Sequence, residues 1–298
     1  ERSRGLGDVY KRQLTGWKAL GAFVLALLPV LFGFIFPALY LADAAIARLR
    51  FAGIPADLFA QIMNTVVMAG IATFVAVVIG FVLAYSQRLT RAPASDAAMR
   101  VASLGYAVPG TVLAIGLLAP LFALDNALAD ALEHVFGISV GLILSGSGAA
   151  LVYAYVVRFL AISSGGVESG FAKLSPSLDH AARVLGETAM GTMRRVHLPL
   201  LRPALGAAAL LVFVDCMKEL PATLLLRPLN FETLATHLYG EAVRGTYEDG
   251  SIAALCIVLV GLAPVMLLAR LSRRPALAYE KPAPAVSTTI LAKDMAGS

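Results

Sequence analysis

Residues 180–199 read HAARVLGETAMGTMRRVHLP and lie in the longest polar segment of the chain, residues 163–199. Ser175 and Pro176, which precede the quoted stretch, favour the N-cap and the first position of a helix. Apolar and small side chains then recur at helical spacing, at Leu178, Ala181, Ala182 and Leu185. Asp179, His180 and Arg183 fall on the other faces. The segment therefore predicts a short amphipathic helix.

This predicted helix ends early and is followed by a second one. Gly186 can close the first helix in a left-handed conformation. A second short helix is predicted over 187–195, and it leads through Val196, Leu198 and Pro199 into an apolar run. The small side chains near the turn would let another surface approach closely. The alternative interpretation is a helical hairpin that packs only on itself at the membrane surface.

The rest of the chain is strongly apolar. Of its 298 residues, 59% are hydrophobic and only 14% are charged, against roughly 25% charged in ordinary globular domains. The mean hydropathy is +0.80. Six stretches are long enough for the about 20 residues that cross a bilayer: 19–42, 61–85, 100–124, 137–161, 201–226 and 249–270. These long runs argue against a soluble enzyme and against barrel strands. They predict an all-α polytopic membrane protein with six transmembrane helices.

Basic residues indicate the orientation. Thirteen lie between spans two and three, between spans four and five, or after span six: Arg88, Arg91, Arg100, Lys173, Arg183, Arg194, Arg195, Arg202, Arg270, Arg273, Arg274, Lys281 and Lys293. Four lie on the other side: Arg48, Arg50, Arg227 and Arg244. Because basic loops face the cytoplasm, the 163–199 segment is predicted to be cytoplasmic. The net charge of +5 then reflects topology and does not indicate a nucleic-acid partner.

Both ends of the chain are set apart from the membrane domain, residues 14–271. Residues 1–13 read ERSRGLGDVYKRQ, which resembles the translation of a sequencing adaptor, and we interpret them as an artefact fused to a truncated gene. The alternative is a genuine basic cytoplasmic leader. Residues 272–298 are rich in Pro, Ala and Ser and are predicted to form a disordered cytoplasmic tail.

Charges and prolines inside the spans mark candidate positions for a transport path or gate. Asp215, Lys218 and Glu219 lie in the fifth predicted span, close to Pro221. Charges in a bilayer are costly and therefore face a partner helix or a pathway. Asp215 and Lys218 are three residues apart, so an ion pair that braces the bundle is the alternative. Pro109-Gly110 predicts a kink in the third span, which is interpreted as either a hinge or a static bend.

The sequence offers little for catalysis or for a resident metal. It contains no HExxH motif, and no Gly-Lys pair that could form a phosphate-binding loop. Acidic residues, His237 and tyrosines after the fifth span are loosely spaced, so no metal site and no cofactor are predicted. A secondary transporter and an intramembrane enzyme remain as alternatives. The first would place coupling charges at mid-bilayer, whereas the charges above lie towards one end of the fifth span.

The 180–199 stretch resembles the EAA loop of ABC importer permeases. Residues that match that pattern in register are Ala181, Ala182, Gly186, Val196, Leu198 and Pro199. His180 stands where the family has a glutamate, although Asp179 is adjacent. The resemblance implies a MetI-like fold whose loop docks as a coupling helix into a cytoplasmic ATPase dimer, which binds the ATP. It also implies an extracytoplasmic substrate-binding protein and a bacterial inner-membrane location.

Two further stretches resemble the ferric-iron permeases of this superfamily. They are residues 105–118, GYAVPGTVLAIGLL, and residues 218–236, KELPATLLLRPLNFETLAT. Those permeases carry two related six-helix halves, and this chain resembles the C-terminal half, so the resemblance implies a second half upstream. Ferric iron is the expected cargo. Thiamine, polyamine, phosphonate and molybdate permeases are the alternatives within the class.

Overall fold

The computed structural model describes residues 14–90 and 92–272, and these residues form helices and connecting loops without a strand. The interpretations of residues 1–13 and of the tail beyond residue 272 fall outside the described residues. The described helices are α1 (Trp17–Val30), α2 (Phe36–Ala52), α3 (Leu58–Thr90), α4 (Pro93–Ala107), α5 (Gly110–Phe136), α6 (Ala149–Phe171), α7 (Ser177–Val184), α8 (Ala189–Thr192), α9 (Leu198–Met217), α10 (Pro221–Leu226), α11 (Leu234–Arg244) and α12 (Tyr247–Ser272). Single π-helical turns, Leu31–Ile35 and Met193–His197, join α1 to α2 and α8 to α9.

Close packing of α3 against α6 and α9 forms the centre of the bundle. The buried face of α3 is lined by small residues, among them Ala69, Ala72, Ala76 and Gly80. Gly80 lies against Ser163 of α6 so closely that an added Cβ would overlap the Ser163 hydroxyl. That hydroxyl donates a hydrogen bond of 2.6 Å to the Ala76 carbonyl. Small residues let helix backbones approach in this way in membranes, where water does not drive association.

Within residues 14–90 and 92–272, five helical segments are long and apolar enough to cross a membrane: Trp17–Ala52, Leu58–Thr90, Gly110–Phe136, Ala149–Phe171 and Ala189–Met217. The sixth predicted stretch lies within α12, whose 26 residues extend about 39 Å. The all-helical membrane fold is therefore confirmed over the described residues. The longer segments between the membrane helices lie at two ends. One end, here called the basic end, carries the end of α3 and residues 172–188, and the opposite end carries residues 53–57, 137–148 and 227–246, which include α11.

The third predicted span is divided. α4 ends at Ala107, Val108 and Pro109 have extended backbone angles, and α5 begins at Gly110. The prediction of a kinked but continuous helix over 100–124 was therefore wrong. Proline disfavours the helical conformation of the residue before it, which accounts for the extended Val108.

The fourth predicted span, 137–161, was wrong at its start. Residues 138–148 form a loop, and α6 begins only at Ala149. Asp125 of α5 is fully buried and accepts backbone N–H groups from Ile143, Leu144 and Ser145 at 2.6–3.0 Å. The apolar run Ile138–Leu144 is held as a loop by these bonds, although its composition suits a helix.

The fifth predicted span, 201–226, differs at both ends. Its helix starts at Ala189 and runs without a break to Met217, so the separate second helix predicted over 187–195 was wrong. Lys218–Leu220 then interrupt the helix, and α10 follows as a short helix of six residues.

Candidate functional site

The polar segment at the basic end is built around α7, which starts at Ser177, one residue later than predicted. The Ser175 hydroxyl accepts the Ser177 backbone N–H at 3.3 Å. The helix closes at Gly186, whose φ is +80°. The Gly186 N–H bonds the Arg183 carbonyl at 3.0 Å, and the Glu187 N–H bonds the Ala182 carbonyl at 2.9 Å. These two bonds form a Schellman motif, so the predicted glycine cap is confirmed.

The inward face of α7 carries a charge. Asp179 forms an ion pair with Arg88 of α3, with 2.7 Å between Nη2 and Oδ2. Its other oxygen lies 2.6 Å from Nε2 of His197, a side chain that is 1% exposed. Ala182 is buried beside it and Leu178 is half-buried. Asp179 therefore points into the protein.

The outward face of α7 and the following turn expose apolar side chains. Val184 is 87% exposed, Leu185 81% and Met190 53%, and Ala181 and Gly186 are also exposed. These five residues are called the docking surface below. Of the four residues that recur at helical spacing, Ala182 is buried and Leu178 half-buried, whereas Ala181 and Leu185 are exposed. His180 is exposed next to this surface.

The end of the matched motif lies at the start of the membrane helix. Val196 is half-buried in the π-helical turn, and Leu198 and Pro199 are exposed in the first turn of α9. The motif therefore extends from α7, through the turn, into the helix that crosses the membrane.

The two helix breaks meet at one ion pair deeper in the bundle. Arg158 of α6 lies 3.1 Å from Glu219, measured from Nε to Oε2, and Glu219 is 7% exposed. Arg158 Nη1 also donates to the Val108 carbonyl at 3.0 Å. A single guanidinium thus joins the break at Val108–Pro109 to the break at Lys218–Leu220. We call this arrangement the junction.

The remaining candidates surround the junction. Gly110 packs so tightly that an added Cβ would lie 2.6 Å from Glu219 Oε1 and 3.0 Å from Arg158 Nη1. Glu219 Oε1 accepts the Ala222 backbone N–H at 3.3 Å, next to Pro221, which opens α10. Pro109, Gly110, Glu219 and Pro221 are therefore brought together.

Asp215 and Lys218 pair with each other instead. Lys218 Nζ lies 2.7 Å from Asp215 Oδ1, and the lysine side chain is 61% exposed. Lys218 caps α9 three residues after Asp215 and pairs back along the helix, whereas Glu219 lies in the break after α9 and pairs with Arg158.

Sequence reasoning missed Arg158, although it is the sole charged residue in the predicted span 137–161. That isolation was the available signal, because a lone arginine in a span requires a partner. Arg158 lies about 14 Å from the start of α6 and about 20 Å from its end. Its partner Glu219 lies two residues beyond the end of α9 at Met217.

A polar cavity of about 650 Å³ opens at the opposite end, between the start of α3 and residues 227–244. Glu241 on its wall is buried, which raises the pKa of its carboxyl. Hydrogen bonds from Thr246 and Arg244, with the charges of Arg244 and His237, outweigh that effect, and the net pKa is lowered. Among the described residues, no group of three or more His, Cys, Asp or Glu side chains could hold a metal ion.

One serine motif was overlooked in the sequence and has no catalytic setting in the structure. Residues 137–141 read GISVG, a GxSxG pattern. In hydrolases this pattern forms a strand-to-helix turn that exposes the serine nucleophile. Here it lies in the loop between α5 and α6, in a part of the described structure without strands.

The chain matches one protein-family model over most of its length. Residues 76–275 match the family described as "Binding-protein-dependent transport system inner membrane component". This range includes α7, the docking surface and both helix breaks.

Curated relatives share parts of the chain at modest identity. The Fe(3+)-transport system permease protein FbpB 2 of Haemophilus influenzae is 26% identical over 74% of this chain and 40% of its own length. A putative 2-aminoethylphosphonate transport system permease protein, PhnV of Salmonella typhimurium, is 31% identical over 41% of this chain and 46% of its own length. The chain thus spans less than half the length of either relative.

Solved structures share the fold. A chain of a bacterial alginate ABC transporter, in complex with an alginate pentasaccharide-bound periplasmic protein, superposes with a TM-score of 0.66 at 16% identity, covering 87% of this chain and 94% of that chain. A chain of the MetNI methionine ABC transporter superposes with a TM-score of 0.50 at 18% identity, covering 72% of this chain and 96% of that chain. At this level of identity the likeness concerns architecture alone. The match over residues 76–275 shows more: this multi-pass chain of the cytoplasmic membrane belongs to the family of binding-protein-dependent transport system inner membrane components, the permeases of ABC importers.

Proposed function

We propose that the chain is the transport-path subunit of an ATP-driven importer and that α7 couples it to a cytoplasmic ATPase. The observation that carries this proposal is the docking surface. The exposed apolar side chains are Val184 at the end of α7, Leu185 directly after it and Met190 in α8, and exposed apolar patches of this kind mark protein interfaces. The basic end is then cytoplasmic, in agreement with the distribution of arginines and lysines.

The path itself is proposed to lie beside the junction. Broken helices within a membrane are tolerated where they line a cavity or are covered by protein. Pro109, Gly110, Glu219 and Pro221 meet there, and the exposed Lys218 pairs with Asp215 one turn away. The charges are paired with opposite signs, so the path holds no dedicated cage for an ion, and affinity for cargo resides in a separate binding protein.

Ferric iron is the proposed cargo. It is supported by the resemblance of residues 105–118 and 218–236 to ferric permeases and by the similarity to FbpB 2, a Fe(3+)-transport system permease. A phosphonate is the second candidate, because PhnV is named as a 2-aminoethylphosphonate permease.

The partners follow from this function. They are a cytoplasmic ATPase dimer, which binds the ATP, an extracytoplasmic binding protein, and a second six-helix half. Because the chain spans 40% of FbpB 2, we propose that the second half precedes residue 14 in the same polypeptide. Residues 1–13 would then be foreign to the protein, and 272–298 a cytoplasmic tail.

The deciding experiment reconstitutes the complete permease with its ATPase in vesicles. Labelled iron, 2-aminoethylphosphonate, thiamine and putrescine are each supplied with their own binding protein. We expect ATP-dependent accumulation of iron alone. Accumulation of another cargo without iron would overturn the cargo and leave the importer function, whereas uptake without ATP would overturn both. In the same assay, Lys218→Ala should change the transport rate more than the apparent affinity for loaded binding protein.

A further inference from the structure

Arg88 binds the start of α7 through more contacts than a simple ion pair requires. Its Nη1 donates to the carbonyls of Phe171 and Leu174 at 3.1 and 3.2 Å, at the end of α6. Its Nε and Nη2 donate to Asp179 Oδ2 at 3.1 and 2.7 Å. The guanidinium also lies over the Phe171 ring, 5.8 Å from its centroid. One side chain of α3 therefore holds both the end of α6 and the inward face of α7.

Asp179 extends the same contact to the membrane helix that follows the loop. Its second oxygen is 2.6 Å from Nε2 of His197. The His197 ring is packed edge-on against Tyr85 and Phe171, at centroid distances of 5.8 and 5.6 Å. His197 belongs to the turn that continues into α9. Asp179 thus connects α7 to α3 on one side and to α9 on the other.

Asp179 faces the protein interior, whereas its neighbour His180 is exposed. His180, at the position where the family has glutamate, is exposed beside the docking surface, whereas the Asp179 side chain is 20% exposed and engaged at both oxygens. Asp179 therefore cannot replace a missing glutamate in contacts with a partner. Partly buried charges that are paired this fully hold a fixed geometry, and removal of one member leaves the other uncompensated.

We propose that Arg88 and Asp179, with His197, are positioning residues that transmit movement of α7 to α3 and α9. We call them the anchor. This inference rests on the proposed coupling function, in which α7 is the element that the ATPase moves. Val184 and Leu185 of the docking surface are 87% and 81% exposed, whereas Asp179 and His197 bond to each other inside the protein, so loss of the anchor should separate ATPase binding from transport.

The test uses the complete transporter carrying Asp179→Asn, which keeps the size of the side chain and removes its charge. We expect normal membrane abundance and normal co-purification of the ATPase subunit. Transport should fall about tenfold or more, and ATP hydrolysis should lose its stimulation by cargo-loaded binding protein. Asp179→Glu, which keeps the charge, should retain more transport than the asparagine variant.

Two further variants complete the test. Arg88→Lys should give an intermediate loss of coupling, because a single ammonium cannot reach the carboxylate and both carbonyls. Asp96→Asn is the matched control, since Asp96 is an exposed aspartate at the same end that accepts one bond from Gln87, and it should behave as the wild type.

The outcomes are distinct. Stimulated hydrolysis and transport at the wild-type level in Asp179→Asn would overturn the anchor. A parallel fall in abundance, ATPase retention and transport that Asp179→Glu does not relieve would also overturn it, since that result describes a purely structural residue. Failure of the wild-type permease to retain an ATPase subunit would instead overturn the proposed function.

Discussion

Gly186 combines a positive φ with open surroundings. Its φ of +80° is a conformation that other residues adopt at a cost of about 1–2 kcal/mol, yet an added Cβ would meet no atom within 4 Å. The space beside it is therefore open within this chain and available to a docked protein.

Gly186→Glu should abolish binding-protein-stimulated ATP hydrolysis while membrane insertion remains, because a charged side chain would project from the docking surface. Gly245→Glu is the matched control for backbone strain, since Gly245 has a φ of +78° and equally open surroundings at the opposite end. ATPase stimulation and membrane abundance are measured for both variants. Equal loss of stimulation in the two, or normal stimulation in Gly186→Glu, would contradict the docking role.

Gly110 is constrained by the junction. An alanine Cβ there would lie 2.6 Å from Glu219 Oε1 and force the Arg158–Glu219 pair to move. Gly110→Ala should therefore destabilise the permease by about 1–3 kcal/mol, the range for overpacked cores, and slow transport. Gly116→Ala on the same helix meets no atom within 4 Å and should be neutral. Thermal unfolding in detergent compares the two, and equal midpoints would refute the tight contact.

At the scale of elements, the α3–α6 contact depends on Gly80. A Cβ at this position would overlap Ser163 and approach the Ser164 backbone nitrogen at 2.8 Å, so the two helices would have to separate. Gly80→Ala should lower both membrane abundance and the unfolding temperature. Gly70→Ala, with no atom within 4 Å, should be neutral or slightly stabilising, since alanine favours helices over glycine by about 0.5–1 kcal/mol. Identical stability of the two variants would argue against this packing.

Helix existence could be predicted from sequence more readily than helix ends. Apolarity over about 20 residues is a local property, and it located every membrane helix described here. The loop 138–148 depends on Asp125, which is 18 residues or more from the N–H groups that it binds. The composition of the loop itself does not predict that contact. The division at Val108–Pro109 had a local signal in Pro109, but the guanidinium that binds the freed Val108 carbonyl is 50 residues away.

In the candidate site, too, the features that depend on nearby residues were predictable from sequence, and those that depend on distant residues were not. The glycine cap of α7 was predictable because it depends on one residue's conformational freedom. The inward direction of Asp179 was not, because it depends on Arg88, which is 91 residues away. Helical spacing groups Leu185 with Leu178 and Ala182, but it does not show which of them another part of the protein covers. The structure buries Ala182 and leaves Leu185 81% exposed.

At the scale of the whole molecule, the orientation can be tested with single cysteines. Ser175 is exposed at the basic end, and Leu229 is 96% exposed at the opposite end. In intact cells an impermeant thiol reagent should label Leu229→Cys and should label Ser175→Cys only after the membrane is opened. Asp125 and Glu241 are unsuitable reporters because they are 0% and 7% exposed. Labelling of Ser175→Cys in intact cells would show that the orientation is the opposite of the one proposed.

The helical segment from Ala189 to Met217 is long enough for movement at one of its ends to displace the other end. Its 29 residues, which include the π-helical turn Met193–His197, extend about 43 Å, with the docking surface near one tip and the break beside Glu219 at the other. A tilt of about 5° around the midpoint would displace each tip by about 2 Å in opposite directions. A displacement of that size is comparable to the separation of a bonded ion pair. If an ATPase moves α7 as proposed, a modest swing of this segment would part Glu219 from Arg158, and the pivot would lie where α9 packs against α3 and α6.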